Sequence, residues 1–176
     1  MNSAAISAGP AVVPSPAPRL LVLRILLVIV AGLELFDSLI GAPMLLDGTS
    51  SFPGPGICGA IIKLHMAVHP VLALAVLILA GIGYVRQAIM ALGAVVLMTW
   101  LSYMPSVARH GLDFSSTGIY QSPAQIFIYP LMGACAIALA ARSEQLWLAA
   151  ALAGIASFMG VICMVTFAIA VAIVGF

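Results

Sequence analysis

Four titratable side chains fall in stretches of this sequence that are otherwise almost free of charge. Glu34 and Asp37 stand three residues apart, and His65 and His69 stand four apart. Either spacing puts both members on one face of an α-helix. A charged group at the centre of a membrane-spanning helix costs about 2.5–3.5 kcal/mol, so such groups turn inward, find partners and mark function.

Depth decides whether the two pairs can meet. If their helices run antiparallel, the midpoints fall near Leu33 and Leu72. At a rise of about 1.5 Å per residue, Glu34 is then level with His69, and Asp37 and His65 lie about one turn nearer the outer face. The expected contacts are Glu34 with His69 and Asp37 with His65. Ser38 adjoins the acidic pair, and Thr99 with Tyr103 and Gln125 with Tyr129 are further i,i+4 pairs that can support the same level. Lys63 lies about 200° around the helix from His65 and is expected to snorkel to the headgroups.

Three chemistries suit this set. Carboxyl and imidazole groups held away from water can load and release protons for a pump, a transporter or a redox partner. Two imidazoles one turn apart with two carboxylates also form a donor set for a transition-metal ion such as zinc, iron or manganese, drawn from Glu34, Asp37, His65 and His69. Haem is less expected, because His65 and His69 share one helix face and cannot clamp an iron from both sides. The only other histidine, His110, falls in a loop. The structural alternative is that the cluster only pairs helices, as polar contacts between membrane helices do.

The elements that must position these residues are legible from composition. Of the 176 residues 64% are hydrophobic and 6% charged, against roughly 25% charged in a soluble domain. Such a chain cannot cover itself in water, but it can in lipid. A bilayer core of about 30 Å takes roughly 20 helical residues to cross. Five segments reach that length, at 20–46, 60–85, 88–107, 123–141 and 146–174. Turn-forming residues separate them at 47–56, at Arg86-Gln87, at 110–122 and at 142–145.

Cations orient the chain. With the N-terminus inside, Arg19, Arg24, Arg86 and Arg142 are cytoplasmic and only Lys63 and Arg109 lie outside, the bias of the positive-inside rule. Residues 1–18, with Pro10, Pro14, Pro16 and Pro18, are expected to form a disordered cytoplasmic tail. With a net charge of +1 and no basic cluster, nucleic acid is not an expected partner.

Other motifs have packing explanations. Gly54 to Gly59 matches GxGxxG, but no strand precedes it and prolines interrupt it, so it reads as a loop. Gly154, Ser157 and Gly160 form a small-residue strip suited to close helix packing. Pro70 and Pro130 fall inside spans and free backbone carbonyls near the polar level. Cys58, Cys135 and Cys163 are read as small packing residues, with Cys58, in a loop, the accessible one. Leu23-Arg24-Ile25 at the start of a span and Gly81-Ile82-Gly83-Tyr84-Val85-Arg86 between two spans resemble the DoxX-type small membrane proteins. The resemblance implies a four-helix membrane fold. The fifth segment, the HxxxH spacing and the Glu34/Asp37 pair depart from it, and no residue role comes with it.

The sequence therefore predicts an all-α, polytopic transmembrane bundle of about five helices, N-in and C-out, with 19–176 as one domain. It is expected in a bacterial inner membrane, in contact with lipid and with other membrane subunits or further copies of itself. The expected function is a carboxylate–histidine site that handles protons or a metal ion beside a redox or transport partner. The alternative is a structural or assembly subunit.

Overall fold

An apolar run in lipid can satisfy its backbone N–H and C=O groups only within itself, and it does so as an α-helix. The computed structural model of the chain has five helices among the described residues: α1 (Pro18–Gly41), α2 (Gly56–Ile82), α3 (Val85–His110), α4 (Pro123–Ala141) and α5 (Leu146–Val174). The structure describes residues 18–41, 54–114 and 121–174, with the side chains of 19–40, 54–114, 121–159 and 173. The tail expected over 1–18 lies outside the described residues, apart from Pro18, which opens α1. Most of the 47–56 loop, residues 115–120, and the side chains of Gly160 and Cys163 also lie outside them.

Helix α1 is described over Pro18–Gly41, and the rest of the expected first segment, 42–46, lies outside the described residues. Several boundaries move for reasons of turn chemistry. Helix α2 begins at Gly56 rather than at 60, which puts Cys58 in its first turn instead of a loop. The α2–α3 turn is not Arg86-Gln87. It is made by Gly83, whose left-handed φ of 96° lets its N–H reach the carbonyls of Leu79 and Ala80. Arg86 and Gln87 therefore belong to the first turn of α3. Helix α4 starts where the sequence says, because Ser122 caps it: its side chain accepts from the Gln125 N–H while Gln125 Oε1 accepts from the Ser122 N–H. Pro123 fills the position that needs no donor.

Successive helices run antiparallel, and two arginines tie their ends. The Arg24 Nε on α1 donates to the Ala80 carbonyl at 2.8 Å, and its Nη2 donates to the carbonyl of Gly81. Arg86 on α3 does the same for the carbonyl of Ala141 at the end of α4. Each guanidinium thus meets carbonyls in the last turn of a neighbouring helix, at the negative end of its dipole. Because α1, α3 and α5 point one way, residue number measures depth alike in all three.

Helices α3 and α4 touch backbone to backbone. A Cβ on Gly93 would lie 2.7 Å from Ile137 Cγ1 and 3.0 Å from the Gly133 carbonyl oxygen. The close small-residue crossing is therefore Gly93 on Gly133. The strip expected on α5 does not supply it, since a Cβ on Gly154 would meet only Val30, at 4.0 Å. One turn further along, Pro130 has no N–H to give the Ile126 carbonyl, and the Trp100 indole N–H of α3 takes it at 2.8 Å.

Leu23, Leu27, Val76, Ile89, Leu92 and Val95 form the buried core, while Ile78, Phe127 and Leu131 point outward. Cys135 is also exposed on α4, so it does not pack inside the bundle as expected. Among the described residues, α2, α3 and α4 are long and apolar enough to cross a membrane. Helix α1 is 24 residues long but carries Arg19, Arg24, Glu34 and Asp37. The described apolar part of α5 is Leu146–Met159.

Candidate functional site

The polar residues of α1 and α2 converge where the two helices pack. The Glu34 Oε2 lies 3.1 Å from the His69 Nε2. Glu34 is 7% exposed and His69 3% exposed, so the pair is taken out of water. Such a pair persists when each partner satisfies the other's lost hydration.

His65 does not pair with Asp37 in the expected way. Its ring packs on that of His69, with centroids 4.8 Å apart and planes tilted by 41°. It also has the Met98 backbone of α3 as a hydrogen-bond partner. The i,i+4 spacing that brings the two rings together also turns His65 toward α3. Its Nδ1 is buried with no hydrogen-bond partner among the described residues. Asp37 is half-buried, one turn beyond Glu34.

These four residues border a cavity of about 100 Å³. Thr99 and Tyr103 of α3 and Tyr129 of α4 form its far wall, with Val96 as the apolar member from α3. Helix α5 closes it with Ala156 and Ser157. Ser157 is 7% exposed, and its hydroxyl has no hydrogen-bond partner among the described residues. A helical serine normally returns its proton to the carbonyl four residues back; this one is left to the cavity.

Two residues expected to support the site are not brought to it. The Ser38 hydroxyl donates to its own helix, to the Leu35 carbonyl at 2.9 Å. Gln125 is used in the α4 cap, where its side chain accepts from the Ser122 N–H at 3.0 Å. Lys63, Arg109 and His110 are exposed and away from the lining. Ser157 is the residue the sequence reading placed elsewhere. Its signal was depth: on α5 it is the lone hydroxyl between Leu146 and Met159.

Among the described residues, no group of three or more His, Cys, Asp or Glu side chains is arranged to hold a metal ion. The reason is visible in the pairing. Glu34 and His69 turn their donor atoms on each other, and the His65 and His69 rings contact each other at a 41° tilt instead of converging on one point. No family model matches the chain, and neither does any curated protein or solved structure. The likeness to DoxX-type proteins therefore gains no support, and the site must be interpreted from its own residues.

Proposed function

We propose that this protein is an integral membrane protein crossing the bilayer five times, N-in and C-out, whose Glu34–His69 pair handles protons within the membrane. The single observation that carries this reading is the cavity beside the pair. A carboxylate and an imidazole that served only to hold α1 on α2 would be sealed by apolar packing. Here they border about 100 Å³ of space together with the unpartnered His65 Nδ1 and Ser157 hydroxyl.

The proton path is short. The proton is shared between Glu34 and His69 in this reading, which rests on the 3.1 Å between Oε2 and Nε2. Asp37 and His65, one turn nearer the outer end and half-buried, are the next groups that can exchange it. Thr99, Tyr103 and Tyr129 supply hydroxyls along the same wall. A polar space of this size holds roughly three waters at about 30 Å³ each, enough to relay a proton between these groups. In this reading the chain serves as a subunit beside a redox or transport partner that supplies or takes up the proton.

The test is proton uptake by proteoliposomes under an imposed gradient. Glu34→Gln keeps a hydrogen-bonding side chain of the same shape but cannot release a proton. Uptake lost in E34Q, with helix content and thermal stability kept, supports proton handling. Loss of assembly with no uptake in the native protein supports the alternative, a polar contact that only pairs helices.

A further inference from the structure

A second space lies on the same seam as the polar cavity. It is a groove of about 330 Å³ between α1 and α5, floored by Leu92 of α3 and lined by apolar side chains. The groove ends at Leu33 on α1 and at Phe158 on α5. The polar cavity begins at Glu34, at Ala156 and Ser157, and, one helical turn past Leu92, at Val96. On α1 the cavity's Glu34 directly follows the groove's Leu33, and on α5 the linings interleave, Ile155 and Phe158 on the groove side and Ala156 and Ser157 on the cavity side, so the two spaces adjoin.

We infer that the two spaces together bind one amphiphile, a lipid-soluble molecule with a single apolar tail and a small, uncharged, hydroxyl-bearing head. This rests on the reading of the polar cavity as a working site. The tail lies along the groove between α1 and α5, and the head enters beside Ser157. Two observations specify the head. The His65 Nδ1 is an acceptor without a donor, and the Ser157 hydroxyl, nine-tenths buried, has no partner among the described residues. A hydroxyl head satisfies both, displacing roughly three waters' worth of volume.

The surroundings rule against a phospholipid. Neither space is lined by Lys or Arg, and the polar one carries Glu34 and Asp37. A phosphate placed there would face carboxylates with no cation to offset it. Gly154 keeps the groove open, because a Cβ there would meet nothing nearer than Val30 at 4.0 Å. A leucine at that position would fill it.

The test uses the full chain in nanodiscs and a long-chain primary alcohol carrying a diazirine midway along its tail, with cross-links mapped by mass spectrometry. Labelling should concentrate midway along the groove walls, around Leu26 and Ala151. Gly154→Leu should reduce it about tenfold, as loss of tail contacts worth one decade of affinity would. Ser157→Ala should weaken labelling by the alcohol and leave unchanged that by a diazirine alkane of equal length. Labelling spread evenly over lipid-facing residues such as Ile78 and Leu131, or unaltered by G154L, overturns the inference. So does stronger labelling by the matching alkyl phosphate. Proton uptake measured on the same G154L protein separates the two readings: uptake kept while groove labelling is absent in the native chain removes the amphiphile and leaves proton handling standing.

Discussion

Glu34 Oε2 on α1 and His69 Nε2 on α2 meet 3.1 Å apart, each buried by the surrounding helices. That contact makes an asymmetric prediction about stability. His69→Ala leaves a buried carboxylate without its partner, and losing one member of a buried pair costs about 3–5 kcal/mol. Glu34→Gln keeps a hydrogen bond to the imidazole and should cost about 1–2 kcal/mol, the range for polar contacts between membrane helices. Unfolding of both variants in detergent tests the order. Equal losses would mean that the pair carries no buried charge.

The α3–α4 crossing should be intolerant of any side chain. Gly93→Val places carbon 2.7 Å from Ile137 Cγ1 and 3.0 Å from the Gly133 carbonyl, and should destabilise the protein by about 1–3 kcal/mol or more through overpacking. Gly154→Ala, with only Val30 at 4.0 Å, is the matched control and should change the thermal midpoint little. A reversed order would show that α3 and α4 do not cross at these glycines.

Trp100 and Pro130 form one unit although they lie on different helices. Trp100→Phe keeps the ring in place but leaves the Ile126 carbonyl unpartnered, a loss of about 1–3 kcal/mol for a buried acceptor. Adding Pro130→Ala returns an N–H to that carbonyl. The double variant should therefore recover part of the loss, and additive losses would contradict the pairing.

These contacts also show what the sequence could and could not say. Helices α4 and α5 have the bounds read from it, because Ser122-Pro123 and the Arg142 to Gln145 turn punctuate the chain sharply. The α2–α3 turn was placed on the charged Arg86 when the bend is made by Gly83. Depth matching could find Glu34 and His69, since it needs only helix rise and antiparallel order. The Gln125 cap follows from the local Ser122-x-x-Gln125 spacing, but depth could not show that His65 turns to α3 or that Ser157 faces the cavity. Those depend on helix rotation, which an apolar surface facing lipid does not encode.

Orientation can be read from one thiol. With the N-terminus inside, Cys58 stands at the outer end of α2 and is partly exposed. In a variant retaining Cys58 alone, a membrane-impermeant maleimide added to right-side-out vesicles should react with it. Reaction only in inverted vesicles would reverse the topology.

The most direct examination of the proton-handling reading is infrared titration of the full chain in lipid, following carboxylic C=O absorption in the native protein and in E34Q. A protonation-dependent band that shifts on deuteration, disappears in Glu34→Gln and persists in Asp37→Asn is the expected result. Identical spectra for the native protein and E34Q across the pH range would mean that Glu34 exchanges no proton and that the contact with His69 merely fastens two helices.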